Sequence, residues 1–419
     1  MEQFQPSSVQ PTRTAPRARN NGHLCLLYVA KQSLKHRPEP MSRKPTYQAA
    51  QTVAAAIEAH FKSHLAGARL RGEVELASEP SAETVEAIID ATFWASLRPE
   101  EGRFPRISLA LLPPEQAVQP LMLAQALPLT PINLTKLAPS VERPGIHLGV
   151  WGEADQLNIW GSTRVIPSFC FVLEDIEPGL LVVKHRRIDG FGKYANVAVL
   201  KGGHVKIIDE RGTSLPDCPD LLKSLLAFTA SETRTDSVTV LVQIAASMRS
   251  HGHGGTLLVV PTSPQDWRQS IVQPLIYSIA PPFSALADLF HVEQKEREEN
   301  WEDAVRKAVD QIAGLTAVDG ATIISEQYEV LGFGAKIARA SGNAPVEKMV
   351  VTEPILGDEA RIVHPVQHGG TRHMSAAQFV QDQKESIALV ASQDGHFTIF
   401  AWSPCEQMVH AHRVDVLLL

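Results

Sequence analysis

Two short stretches in the C-terminal third hold residue types suited to handling phosphate. Val318-Asp319-Gly320-Ala321-Thr322-Ile323-Ile324 sets an acidic residue and a glycine at the mouth of an apolar run. Further on, Gly369-Gly370-Thr371-Arg372-His373-Met374-Ser375-Ala376-Ala377 is a glycine-rich turn running into a helical pattern. Such a turn exposes backbone N–H groups and the positive end of the helix dipole, which suits an anion. Thr371 adds a hydroxyl donor, and Arg372 a planar, permanently charged fork for phosphate oxygens. Asp319 is the hard oxygen ligand that Mg²⁺ or Mn²⁺ takes beside substrate phosphates. Phosphoryl-type transfer needs mostly positioning and charge neutralisation, and these residues supply both. Taken singly, an Asp-Gly before a strand is usually a turn, and a Gly-Gly-Thr-Arg usually a helix entry.

Regular elements must bring the two stretches together. After the glycine-rich turn, Ala376, Ala377, Phe379 and Val380 mark a helix. Ile387–Ser392 reads as a strand, Gln393-Asp394-Gly395 as a turn and Phe397–Trp402 as the returning strand. Upstream, Ser284–Gly314 reads as a long helical stretch, with Trp301, Val305, Ala308, Val309 and Ile312 on one face and a charged, solvated connector over Glu293–Asp303. Helices are expected over Tyr47–Leu65 and Ser81–Leu97, the latter starting at Ser81, Glu83 and Thr84. Ile107–Leu112 reads as a strand. Pro128, Pro131, Pro139 and Pro144 rule out one long helix after it. Leu157–Trp160, Phe169–Leu173, Leu180–Lys184, Asn196–Leu200 and Val205–Asp209 then predict a mostly antiparallel sheet, with Asp189-Gly190 and Gly202-Gly203 as turns. Pro219–Thr229 and Val238–Arg249 read as helices, and Thr256–Val260 as a buried strand. The expected fold class is α/β or α+β: a disordered tail over 1–45, a domain of helices and antiparallel sheet over 46–270, and a domain of mixed sheet with flanking helices over 283–419.

Composition narrows the classes. The chain has 419 residues, with 39 Lys plus Arg against 46 Asp plus Glu. A net charge of −7 argues against a general nucleic-acid coat protein. Cys25, Cys170, Cys218 and Cys405 form no CxxC, which points to a reducing compartment. No apolar run reaches the roughly 18 residues of a membrane span. The short apolar stretch Leu24–Ala30 lacks a signal-peptide cleavage pattern, so a cytoplasmic protein is expected. Several further constellations favour plain structural readings. His364, His368 and His373 flank Pro365 and the two glycines, so no helix aligns them as metal ligands. His251-x-His253 reads as a polar turn. His410 and His412 alternate as on a strand and are expected to face solvent. Cys170 reads as a small buried hydrophobe. Trp151 and Trp160 with Lys184, Arg186 and Arg187 read as sheet packing beside a solvated charge run.

Asp319-Gly320-Ala321 followed by Gly370-Thr371-Arg372-His373 and Ser375-Ala376 resembles the diadenylate cyclase domain, and the strand ending in Ser392 matches its third block. The resemblance spans roughly residues 285–402. The N-terminal region resembles the sensor-like domain ahead of some bacterial diadenylate cyclase domains. The resemblance implies an enzyme that condenses two ATP into cyclic di-AMP and releases pyrophosphate, with Mg²⁺ or Mn²⁺, between two face-to-face copies in a homodimer or higher homo-oligomer. It implies that Asp319 binds the metal and helps activate the attacking hydroxyl. Gly320 and Ala321 would let the backbone approach the nucleotide, and Gly370, Thr371 and Arg372 would hold phosphates. His373 would stand at the phosphate and metal edge, Ser392 would reach the nucleotide, and Leu331 with Gly332–Gly334 would stand on the adenine side. The N-terminal domain would answer an unknown ligand. Two positions depart from the family pattern. Met374 replaces a second arginine, and Gln393 replaces a glutamate and keeps only hydrogen bonding. Lys348, Arg361 and Lys384 are candidates to restore the lost cation. The departures leave open a catalytically silent nucleotide-binding regulator on the same fold. The base contacts are not fixed by the residues, so another nucleotide such as GTP also stays open.

Overall fold

A computed structural model describes residues 46–187, 194–210, 236–291 and 300–419. The expected tail over 1–45, the Asp189-Gly190 turn, the Pro219–Thr229 helix, and Cys25 and Cys218 lie outside the described residues, as does most of the Glu293–Asp303 connector.

The chain opens with helix α1 (Gln48–Leu70), which buries Val53, Ala54, Ile57, Phe61, Leu65 and Ala68 at helical spacing. Full burial of a side chain such as Phe61 contributes about 1.5–3 kcal/mol. Helix α2 (Ala82–Ser96) starts where the sequence places it: the Ser81 hydroxyl accepts from the Thr84 amide at 3.2 Å, a cap worth about 1 kcal/mol. Asp90 of α2 in turn accepts from the amides of Thr46 and Tyr47, both at 2.7 Å, and pins the start of α1.

Both helices lie on one face of a mixed sheet built from β1 (Ser108–Leu111), β2 (Leu121–Pro128), β3 (His147–Trp151), β4 (Asn158–Thr163), β5 (Phe171–Glu177), β6 (Leu180–Arg186), β7 (Tyr194–Lys201) and β8 (His204–Ile207). The strand order is β2-β4-β3-β1-β5-β6-β7-β8, and every pair is antiparallel except β1 with β3. Strands β2 and β3 were not anticipated. The first is an exposed edge without alternation, and helix α3 (Pro131–Leu137), opened by Pro131, separates them. Leu180, Val182 and Val199 turn away from α1 and α2 into a second core cluster, which they share with residues of the C-terminal half. Burial on both faces explains the unbroken apolar run that opens β6.

Next comes helix α4 (Asp236–Ser250), then a second mixed sheet. Its strands are β9 (Gly255–Val260), β10 (Tyr277–Phe283), β11 (Ala321–Ser325), β12 (Val330–Ala335), β13 (Met349–Thr352), β14 (Arg361–Val363), β15 (Ile387–Ala391), β16 (Phe397–Ser403) and β17 (Met408–Arg413). They run in the order β10-β12-β11-β9-β15-β16-β17-β13-β14. Strand β9 is wholly buried, parallel to β11 and antiparallel to β15. The boundary expected between 270 and 283 therefore falls inside this sheet, and β9 belongs to the C-terminal architecture. The long helix expected over Ser284–Gly314 is instead α5 (Ala285–His291) and α6 (Trp301–Leu315), with Asn300 as the N-cap of α6. The predicted face of α6 holds: Val305, Ala308, Val309 and Ile312 are buried. Helix α7 (Thr371–Asp382) packs on the other face of the sheet through Ala376, Ala377, Phe379 and Val380. The α/β, mixed-sheet class holds for both halves. No helix among the described residues is long and apolar enough to cross a membrane.

His410 and His412 do not face solvent. Strand β17 lies between β16 and β13, and both rings are buried. His412 Nδ1 lies 2.8 Å from the Thr352 hydroxyl, and His410 Nε2 lies 3.1 Å from Glu406. Desolvation holds His412 down to about 3, and buried His147 down to about 4. An unfolded histidine takes its proton near 6.5, so below that value the unfolded chain binds more protons than the folded one. Stability should therefore fall as the pH drops through this window, and His412→Asn should flatten the slope in thermal melts. An unchanged slope in that variant would contradict the assignment.

Candidate active site

The parallel pairing of β9 with β11, and the antiparallel pairing of β9 with β15, set the starts of β9 and β11 and the end of β15 at one edge of the sheet: Ala321 is opposite Thr256, and Gly255 opposite Ala391. Asp319-Gly320 enters β11 there and Ser392 leaves β15 there. The β11–β12 hairpin returns to the same edge, since Ala321 pairs with Ala335. The first turn of α7 closes the space from the other side. The result is a cleft of about 630 Å³, within the range of ligand sites. Asp319, Gly320, Ala321, Gly370, Thr371, Arg372, His373 and Ser392 all line it. The sequence motifs, far apart in the chain, thus meet.

Local geometry explains the glycines. Gly320 has φ of +110°, and a Cβ there would lie 2.5 Å from the Gly334 carbonyl carbon. Only glycine lets Asp319 turn into β11 against the hairpin backbone. Gly370 is the N-cap of α7 and makes no side-chain cap, so the first amides of the helix are left for an anion. Gly254, with φ of +70°, sits under Arg372: a Cβ there would be 3.0 Å from the guanidinium.

Three cations surround the cleft: Arg372, Lys336 and Arg413. Lys336 Nζ lies 2.6 Å from Asp319, whose side chain is otherwise exposed. That hydrogen bond and charge hold the Asp319 carboxyl below its ordinary value, with a smaller contribution from Arg372. Asp319 is therefore an ionised oxygen ligand and a poor proton acceptor. His373 is buried in the first turn of α7, its Nε2 3.4 Å from the Thr398 hydroxyl. Desolvation lowers its pKa, and nearby His396, Arg413 and Arg372 push the same way. His368 is held down to about 4 by burial first, then by His373, Arg413, Arg361 and His396. Both imidazoles are neutral at neutral pH, so the positive field comes from the guanidinium groups and Lys336.

Some expected residues lie elsewhere. Leu331 does not line the cleft; it is half-buried against the core cluster that includes Leu275 and Ala335. Gly332 and Gly334 lie against Leu275 and Tyr277 of the neighbouring segment. Met374 is 40% exposed and outside the lining, whereas Gln393 is on it and donates to the His253 carbonyl at 3.3 Å. None of the cations proposed to compensate for Met374 lines the cleft. Lys384 lies over the Trp402 ring and Arg361 beside Asp358. Lys336 and Arg413 stand in their place. The hairpin register carries the signal for Lys336: with Ala321 opposite Ala335, Asp319 and Lys336 stand at the open end of the β11–β12 pair. His364 caps a short 3₁₀ turn through Val366, while His368 and His373 adjoin each other in the cleft. His251 contacts Thr316 at 3.2 Å. Cys170 is fully buried, its thiol pushed up by desolvation. Trp160 is buried and donates to the Leu112 carbonyl, and Lys184 pairs with Glu174 at 2.6 Å.

A divalent metal would find oxygen ligands in Asp319 and Asp394, both on the lining. Among the described residues no cluster of three ligating side chains gathers in the cleft.

Residues 74–164 match the family described as "Probable sensor domain DACNV", a sensor domain associated with diadenylate cyclases. They cover α2 through β4 and the start of the segment after it. No curated protein matches the chain.

Two substitutions test this geometry. Gly320→Ala should cost about 1–3 kcal/mol in denaturant unfolding through backbone strain, whereas Gly370→Ala, with open space around its Cβ, should be nearly neutral. Lys336→Met should raise the Asp319 carboxyl pKa toward its ordinary value in an NMR titration; no movement would mean that the ion pair is not formed.

Proposed function

We propose that the C-terminal half is a nucleotidyltransferase of the diadenylate cyclase type, which condenses two ATP into cyclic di-AMP, with its output set by the N-terminal half. One observation carries this reading: Asp319 and the Gly370–His373 turn, the two motifs of the resemblance, line a single cleft. The DACNV match over residues 74–164 supports it independently, because it falls in the other half of the chain.

Each 3′-hydroxyl attacks the α-phosphorus of the opposing ATP. The new O3′–P bond forms as the bond to the β-phosphate oxygen breaks, so two pyrophosphates leave per cyclic product. The cleft of one chain serves one nucleotide, and the second comes from a facing copy. The α7 amides, Thr371 and Arg372 hold the phosphates, while Lys336 and Arg413 offset the charge that Met374 does not. Gly320 gives the nucleotide close access to backbone. Ser392 donates from the end of β15, and buried His373 shapes the phosphate edge. Mg²⁺ or Mn²⁺, held by Asp319 with Asp394 nearby, would neutralise charge on the phosphoryl oxygens. Asp319 would hold the metal, and the proton of each attacking hydroxyl would pass to solvent, in keeping with the Lys336 hydrogen bond and charge that lower the Asp319 pKa.

A second reading is favoured by the Asp319–Lys336 ion pair, in which a lysine occupies the carboxylate: a regulator that binds nucleotide without turnover. The full chain incubated with ATP and Mn²⁺, then Mg²⁺, with products identified by mass, separates the two. The expected result is cyclic di-AMP and pyrophosphate, reduced roughly 10²–10³-fold in Asp319→Asn, with unchanged melting. ATP binding without product supports the regulator. Equal turnover in the variant would move the site elsewhere.

A further inference from the structure

The N-terminal half holds a second cluster of chemically able side chains, remote in sequence from the cleft residues. His60 and His64 are four residues apart on α1 and so share one helix face. Their ring centroids lie 4.4 Å apart. Both face Glu210, just beyond β8. His60 Nδ1 contacts one carboxylate oxygen, and His64 Nε2 lies 2.6 Å from the other. One ligand atom from each of the three residues falls within 4.8 Å of the other two. His185 of β6 lies beside them, with ring centroids 5.4 Å from His60 and 5.8 Å from His64. Phe169 stacks on both His64 and His185, so one side of the cluster is aromatic.

We propose that His60, His64 and Glu210 form a binding site for a divalent transition-metal ion of the Zn²⁺ class, with His185 and Phe169 as its wall.

The donor set is the argument. Two imidazoles four residues apart on a helix, joined by one carboxylate from another element, present three N/O ligands to one point, as three-ligand zinc sites do. Imidazole with carboxylate selects Zn²⁺ and its neighbours over Mg²⁺ or Ca²⁺, which take oxygen. His185 Nδ1 lies 3.1 Å from the Arg186 carbonyl, which sets the ring's proton on Nδ1 and its lone pair on Nε2. Zinc–ligand bonds of about 2.0–2.2 Å need ligand atoms somewhat farther apart than a hydrogen bond. The ion would therefore replace the His–Glu hydrogen bonds after a small side-chain rotation. Its place in the fold matters, because the segment that carries Glu210 touches the C-terminal half. Ile208 pairs with Ile355, and the Asp209 amide donates to the Pro354 carbonyl at 3.0 Å. A bound ion would tie α1 to that joint.

The full chain, treated with chelator and dialysed, is titrated with Zn²⁺ by calorimetry, and with Co²⁺ by visible absorption. The expected result is one Zn²⁺ bound per chain at this site, an intense low-coordinate Co²⁺ band, and a raised melting temperature. His64→Gln and Glu210→Gln should each weaken Zn²⁺ at least tenfold and remove the Co²⁺ band. His253→Gln, at an exposed histidine whose backbone carbonyl accepts from Gln393, should change neither. Glu210→Gln keeps the shape and hydrogen-bonding ability of the side chain, so it serves if His64→Gln fails to fold by circular dichroism. No Zn²⁺ binding to the wild-type chain, or equal binding in folded His64→Gln or Glu210→Gln, would overturn the proposal.

Discussion

Everything at the C-terminal cleft depends on one pairing: the wholly buried strand β9 inserted between β11 and β15. Its start is tightly held. A Cβ on Gly255 would lie 2.6 Å from the Thr316 carbonyl oxygen, so the strand enters the sheet directly beneath the end of α6. Its register then fixes where Asp319 enters β11 and where Ser392 leaves β15. A slip of one residue would exchange the sets of β9 that face the two cores and misalign the two edges of the cleft. Leu257 and Val259 face the core on the α6 side, and Leu258 and Val260 the core beneath α7. Burial on both faces thus holds the register that aligns the two edges of the cleft.

Charge at the cleft is organised on that frame. A helix start without a side-chain cap, Arg372, Lys336 and Arg413 give a positive surface on a chain whose net charge is −7. The acidic total therefore says little about the local field. Asp319 stands within that positive surface, and the Lys336 hydrogen bond and charge hold its carboxyl below its ordinary value. Desolvation keeps His368 and His373 neutral, so they shape the cleft without adding charge. In the N-terminal half the same two effects, burial of imidazoles and pairing of one carboxylate, produce the His60–His64–Glu210 cluster. The two halves meet through the segment between them in sequence, where Lys206 pairs with Glu353 and Ile208 with Ile355.

What the sequence made legible was local. The periodicity of α1, α2 and α6, the Ser81 cap, the strand at 387–391 and the Gln393-Asp394-Gly395 turn depend on neighbours within a few residues. The two phosphate-type motifs were legible because glycines and charged groups cluster in them. What failed to show was long-range. Thr256–Val260 read correctly as a buried strand, but nothing in its composition says that it pairs with β11 and β15 rather than with the preceding sheet, and the domain boundary was misplaced for that reason. His410 and His412 alternate as exposed residues would, yet β17 has strands on both sides and cover on both faces. Lys336 was missed because its relation to Asp319 exists only through the β11–β12 register. Leu331 was placed on the adenine side by proximity in sequence to the motif, whereas its strand turns it into the core. His60 and His64 fell inside a helix read for its apolar face, and their partner Glu210 comes from another element.

The central claim is that this frame assembles a site for nucleotide phosphates around Arg372. Calorimetric titration of the full chain with ATP and with adenosine, each repeated on Arg372→Met, tests it most directly. The account predicts that ATP binds far more tightly than adenosine, and that Arg372→Met removes most of the difference while the variant melts as the parent does. Equal affinity for ATP and adenosine, or an advantage for ATP that survives the loss of Arg372, would contradict it.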